Sequence, residues 1–219
     1  MIMMGEVFAL LTVGLCGGSG TGKSVAQADF ALFGIPGLDT DLVYHELIAG
    51  DTPLTRELVE CFGRAILAPG GGIDRLALSS LVFGNGEAAG LCREKLNRIT
   101  HRAVLAECRA WLAEQKEMGA FAAIINAPLL FESGFYTECD ITVAVLAPRE
   151  QRIERIMERD GISREHAERR LDTQLDDHFL IAHTDHYIEN NGTRAELRDR
   201  VKHLAAVIKT ISEETNNGK

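Results

Sequence analysis

The sequence predicts a three-layer α/β fold with a parallel sheet, a helical insertion and a helical lid, on three observations. Short continuous apolar runs alternate with helical patterns along the chain, as parallel strands buried on both faces alternate with their crossovers. The first of these runs ends on a glycine-rich turn that opens straight into a helix. A long helical block, with apolar residues at three- and four-residue spacing, separates the second run from the third and exceeds a simple crossover.

Val7–Leu15 is the first strand expected, since its apolar run stops at glycine. Lys23–Phe33 reads as a helix stopped by Gly34, and Ile35–Leu38 as a short second strand with Asp39 and Asp41 at its carboxyl end. Helices are expected over Leu42–Ala49 and Leu54–Phe62. Pro69-Gly70-Gly71-Gly72 is the clearest loop, and Asp74 is placed to cap a helix through Val82. A mostly helical stretch spans Ala88–Met118. Ala120–Ala127, Ile141–Leu146 and Tyr187–Glu189 are the remaining strands. Between the last two, Arg149–Ala182 is helical and highly charged. Arg194–Ser212 is an amphipathic helix ahead of a polar, frayed end. The resulting division assigns 1–40, 120–148 and 184–219 to a nucleotide-binding core, 41–119 to a substrate part and 149–183 to a lid.

Composition narrows the function classes. Thirty-two acidic against 23 basic residues, a net charge of −9, argue against a general nucleic-acid binder, which needs a basic footprint. The five cysteines are scattered and odd in number, with no CxxC pair, which points to reduced thiols rather than a disulfide framework. No apolar run reaches the length of a membrane span. The apolar start lacks a basic flank, and cleavage there would destroy the glycine-rich motif. A cytoplasmic protein acting as a monomer or weak homo-oligomer is therefore expected, with no membrane partner.

Gly17-Gly18-Ser19-Gly20-Thr21-Gly22-Lys23-Ser24 fits the G-x-x-x-x-G-K-[ST] phosphate-loop pattern between an apolar strand and a helix. Glycines let the backbone wrap an anion with successive amides turned inward, and the helix adds the positive end of its dipole. Lys23 is expected to reach the β- and γ-phosphates of ATP, and the Ser24 hydroxyl to ligate Mg2+.

A phosphate loop does not by itself separate hydrolases, switches and small-molecule kinases. Ligands of open parallel sheets sit beyond the carboxyl ends of the strands, which brings Asp39 and Asp41 into consideration. Asp41 is the candidate to accept an acceptor hydroxyl's proton. Asp39 reads equally as a site residue or as the N-cap of the following helix. Asn126, at the end of a strand, offers an amide that can hold a water but brings no charge. Glu132 is either a first-turn helix acid or a wall of the site. The arginines Arg152, Arg155, Arg159, Arg164, Arg169 and Arg170 alternate with acids and read mostly as a solvated, salt-bridged helix surface. Of these, Arg155 and Arg159 lie one turn apart and are the candidates to close over a transferring phosphoryl group. His178, His183 and His186 match no zinc spacing and read as surface residues, and Cys16 as a small packing residue.

Taken together, GLCGGSGTGKS (14–24), GIPGLDTD (34–41), IDRLAL (73–78), PLLFE (128–132), RIMERDGIS (155–163), RLDTQ (170–174) and DHYIENNG (185–192) resemble the dephospho-coenzyme A kinase family. The resemblance runs from about Leu11 to the final helix. It implies a P-loop kinase fold and transfer of the ATP γ-phosphoryl group to the ribose 3′-hydroxyl of dephospho-coenzyme A. By position it assigns Asp41 as catalytic base, Lys23 as the phosphate-binding lysine, and Arg155 and Arg159 as lid-side arginines. It extends the nucleotide set through Val25 and adds Asn190 and Asn191 near the adenine. His101, Leu129 and Glu132, with Asp39 and Asp41, fall to the acceptor. The chain departs from the family's usual residues at Arg102 (commonly proline), Asn126 (often aspartate), Arg152 (commonly glutamine) and around Leu180, where the family commonly has a basic residue. A kinase of another small metabolite and a nucleotide-dependent switch are the competing readings.

Overall fold

The computed structural model describes residues 9–82 and 87–217, so Val7 and Phe8 of the expected first strand lie outside the described residues. The chain divides into two compact units, Met1–Leu38 with Trp111–Lys219 and Asp39–Ala110. Residues 149–183 fall within the first unit.

The first unit is built on a five-stranded sheet of order β2-β3-β1-β4-β5. Its strands are β1 (Leu11–Cys16), β2 (Gly37–Asp39), β3 (Ala122–Asn126), β4 (Ile141–Leu146) and β5 (His186–Glu189). β1 pairs in parallel with both β3 and β4, and β4 with β5. β1 is therefore central, and its Val13 and Leu15, both 0% exposed, sit in a core with Phe30, Ile124, Val143 and Ile208. That placement explains the near-continuous apolar composition of β1, β3 and β4. β2 begins later than expected. The Ile35 amide turns back to the Phe30 carbonyl at 3.1 Å, and Pro36, with no N–H to offer, meets β3 through its carbonyl, which accepts from the Ile124 amide at 2.8 Å.

α1 (Lys23–Leu32) and α9 (Arg194–Asn217) pack against each other and on β3. α9 continues past Ser212, contrary to the frayed end expected from its polar composition. The Asn216 side chain accepts from the Ala9 amide at 2.7 Å and donates to the Ser212 carbonyl at 2.8 Å, which satisfies the last turn. The charged stretch after β4 is three helices: α6 (Arg149–Asp160), α7 (Arg164–Asp172) and α8 (Asp177–His183). Gly161 ends α6 at φ 65°. Ser163 then caps α7 by accepting from the His166 amide, and Asp176 caps α8 by accepting from Phe179. Ile153, Ile156, Ala167 and Leu171 form a small separate core between α6 and α7.

The second unit holds α2 (Thr40–Ile48), α3 (Pro53–Phe62), α4 (Arg75–Val82) and α5 (Glu87–Glu117) as far as Ala110. Ile48, Leu58, Ile66, Leu78 and Ile99 are among its buried core residues. Pro69–Gly72 is a turn as expected, closed by the Gly71 amide on Ala68 and the Ala68 amide on Gly72. Asp74 accepts from the Leu76 and Ala77 amides at 2.9 and 3.0 Å, the cap its position predicts for α4.

Candidate active site

The phosphate loop links β1 to α1, and its backbone is held by protein donors at five successive carbonyls. Gly18 O accepts from Thr21 N and Oγ1, and Ser19 O from Arg152 Nε at 3.0 Å. Gly20 O accepts from Arg155 Nη1 at 3.0 Å, Thr21 O from Asn190 Nδ2 at 2.8 Å, and Gly22 O from the Ala26 amide. Fixing the carbonyl side of consecutive peptides sets their N–H side as well, since each peptide is a rigid plane. A loop with its amides preset is the arrangement that cradles phosphate at a helix N-terminus.

Two glycines are dictated by close neighbours. Gly22 is the N-cap of α1 at φ 90°, and a Cβ there would lie 2.3 Å from Asn190 Nδ2. Gly18 faces the Arg152 guanidinium, and a Cβ would lie 2.1 Å from its Nη2. Both approaches bring a loop-holding side chain into place.

Lys23 opens α1 and donates to Asn126 Oδ1 at the end of β3; Asn126 in turn donates to Gln27 Oε1 at 2.6 Å. Asn126 is 0% exposed. Its amide thus positions the lysine through direct contact, where the sequence suggested a water-holding role. Ser24 and Val25 are exposed on the first turn of α1. Behind the loop, burial pushes the Cys16 thiol up to about 12, so Cys16 stays a protonated packing residue.

The arginines of α6 separate into three kinds. Arg155 is half-buried on the loop, between Gly20 O and Gln151 Oε1. Arg159 faces away, pairing with the neighbouring Asp160 at 2.7 and 3.0 Å, and is not brought to the loop. Arg152 corrects the expectation of a solvated surface: it is 7% exposed. Its guanidinium reaches Ser19 O, Gln174 Oε1 at 2.9 Å and Asp177 Oδ1 at 3.3 Å. Burial lowers the Arg152 pKa, and the Asp177 carboxylate opposes that shift. Arg164, Arg169 and Arg170 do form exposed pairs, with Glu150, Glu165 and Asp160. Sequence reasoning passed over Arg152 and Gln174 as loop contacts. One available signal was that Arg152 lies a turn before Ile156, on the inward face of α6.

Asn190 is 7% exposed, and its contact with Thr21 O makes it a support of the loop. Asn191 is exposed and accepts from Arg200 at 2.8 Å. Leu129 and Glu132 are exposed beyond the end of β3. Phe131 between them packs edge-on against Phe179, whose ring stacks on His183 at 4.0 Å. His183 accordingly lies in an aromatic cluster.

In the second unit, Asp39 accepts from the Asp41 amide at 2.9 Å and is the N-cap of α2. The cap, one of its two readings, is present. Asp41 is exposed in the first turn of α2. His101 is half-buried on α5, and burial lowers its pKa. Arg102 forms a two-pronged pair with Glu57 at 2.5 and 2.6 Å.

The dephospho-CoA kinase family profile matches residues 11–196. A dephospho-CoA kinase of Geobacter sulfurreducens is 38% identical over 196 residues, covering 89% of this chain and 96% of that protein. Among solved structures, TT1252 from Thermus thermophilus matches with a TM-score of 0.74 at 29% identity, over 90% of this chain and 97% of that one. The dephospho-CoA kinase of Campylobacter jejuni shares the fold, with a TM-score of 0.57 at 22% identity over 90% and 97%.

Proposed function

The chain belongs to the dephospho-CoA kinase family, and on that premise we propose that it transfers the ATP γ-phosphoryl group to the ribose 3′-hydroxyl of dephospho-CoA. The products are ADP and coenzyme A. The observation that carries this reading is the extent of the family match, which runs from β1 into α9 and includes the phosphate loop, the second unit and all of α6–α8.

In this reading the loop amides and the N-terminus of α1 hold the polyphosphate, and Lys23 offsets charge on the transferring group. Asp41 takes the proton of the 3′-hydroxyl as that oxygen bonds to the γ-phosphorus. The bond from γ-phosphorus to the bridging oxygen breaks, and its electron pair leaves with ADP. Support for Asp41 comes from its exposure and from its place in the chain directly after β2, with its amide already held by Asp39. Arg155 is the lid arginine engaged at the loop and is assigned to the nucleotide side. His101, Leu129 and Glu132 are assigned to the acceptor, within an acceptor part over 41–119, and residues 149–183 act as the lid.

Family membership implies ATP as phosphoryl donor. The Ser24 hydroxyl is a hard oxygen donor, exposed at the start of α1, and suits Mg2+, which takes few protein ligands beside water and phosphate oxygens. Ser24 would hold the ion, which when bound supplies positive charge to the β- and γ-phosphates. A cytosolic site of action is consistent with the absence, among the described residues, of any helix long and apolar enough to cross a membrane.

The test is a coupled ADP-release assay with ATP, Mg2+ and dephospho-CoA, beside adenosine, uridine and no acceptor. ADP formation that depends on dephospho-CoA, with coenzyme A identified by mass, is the expected result. ADP formation only with another acceptor would overturn the substrate assignment.

A further inference from the structure

Ser19 is held by protein partners at all three of its polar atoms. Its carbonyl accepts from Arg152 Nε at 3.0 Å, its amide donates to Gln174 Oε1 at 3.0 Å, and its hydroxyl accepts from Gln174 Nε2 at 2.9 Å. The two holding side chains are themselves joined, since Arg152 Nη2 donates to the same Gln174 oxygen at 2.9 Å. Asp177 accepts from Arg152 Nη1 at 3.3 Å and supplies the countercharge that a buried guanidinium needs. Gln174 lies between α7 and α8, and Asp177 is the first residue of α8. A continuous chain of polar contacts therefore ties the crown of the phosphate loop to the start of α8.

We propose that Arg152 is a positioning residue, which with Gln174 and Asp177 fixes the single Ser19–Gly20 peptide of the phosphate loop, held at its Ser19 carbonyl, so that its N–H, that of Gly20, is turned to receive nucleotide phosphates. The proposal rests on the kinase reading above and deepens it. Arginine suits the task because its planar fork offers donors in three directions at once, so one side chain meets a carbonyl, an amide oxygen and a carboxylate. Its effect is exerted through the loop backbone, and the benefit is preorganisation: peptides already oriented need no ordering when the polyphosphate binds. Ground state and transition state gain alike from a preset loop, so nucleotide affinity carries the effect and the chemical step does not.

The experiment uses the full chain with Arg152→Met, Arg152→Gln and Asp177→Asn. The dissociation constant of ADP is measured by calorimetry, and initial rates are taken with ATP and dephospho-CoA varied in turn. Arg152→Met should raise the ADP dissociation constant and the KM for ATP about tenfold, with kcat within about threefold and the KM for dephospho-CoA unchanged. Arg152→Gln, which keeps one donor for Ser19 O, should recover most of the loss, and Asp177→Asn should fall between. Unchanged ADP affinity and KM in the methionine variant would overturn the proposal. So would a kcat loss beyond about a hundredfold at unchanged ADP affinity, which would put the guanidinium on the transferring phosphoryl instead. If the methionine variant does not fold, Gln174→Ala must show the same split between nucleotide affinity and kcat, or the proposal fails. ADP binding is read without acceptor, so failure of the wild type to use dephospho-CoA would overturn the substrate assignment and leave this test standing.

Discussion

Replacing Asp29 by asparagine tests how the helix that carries the phosphate loop is anchored. The Asp29 carboxylate on α1 is 0% exposed, while the arginines that reach it from α9, Arg194 and Arg198, keep 48% and 52% side-chain exposure. Arg194 binds both carboxylate oxygens, at 2.6 Å through Nη2, and Arg198 Nε adds a bond of 3.1 Å. Breaking a buried ion pair costs about 3–5 kcal/mol when the remaining charge is stranded without water. Here the remaining charges are half-exposed guanidinium groups that water reaches, which brings the loss down to about 2–3 kcal/mol. An amide of the same shape leaves no cavity to add to it. At roughly 2–4 °C per kcal/mol for a chain of this size, the melting temperature should fall by about 5–10 °C.

Thermal unfolding followed by circular dichroism measures that drop, and a urea midpoint checks it. The arginine hydrogen bonds hold the Asp29 carboxyl below its ordinary value of 3.8, against the burial that would raise it. With the folded pKa depressed, its stabilisation is complete above the unfolded value and is lost as the pH falls through the folded one. The gap between wild type and variant should therefore be constant near neutral pH and narrow only in strong acid. A variant within about 0.5 kcal/mol of wild type at pH 7, the range of an ordinary surface substitution, would refute the reasoning.

Three further outcomes are expected. Asp41→Asn should lower kcat by a factor on the order of 10²–10⁴ with the KM for ATP little changed, and near-normal turnover would remove Asp41 as the base. Gly18→Ala should weaken ADP binding about tenfold by calorimetry, because its Cβ would displace the Arg152 guanidinium from which it lies 2.1 Å. Doubling that variant with Arg152→Met should add little, since both act on the same contact. Asn126→Ala should cost about 1–3 kcal/mol in urea unfolding, because Gln27 and Lys23 each lose a buried partner; an unchanged midpoint would show that the network carries no stability.

The phosphate loop was legible because its chemistry is local. Glycine spacing, the lysine and serine that follow, and the flanking apolar run all lie within one short stretch of chain. The Asp74 cap and the Pro69–Gly72 turn were legible for the same reason. The division of residues 149–183 into three helices was written in short signals, Gly161 with Ser163 and then Asp176, which charge density alone does not reveal.

By itself the sequence determined the order of strands and helices, the phosphate-binding chemistry and the family, since each rests on residue type and spacing along the chain. Tertiary structure alone decided which polar side chains serve that loop. Arg152 and Arg159 are both arginines on the same charged helix, yet one is buried against Ser19 and the other pairs with Asp160 at the surface. Asn190 and Asn191 are adjacent, yet only Asn190 turns inward to Thr21. Periodicity marks the faces a helix or strand has. Which face meets the loop, and so which charge must be desolvated and bonded, depends on elements far away in the chain.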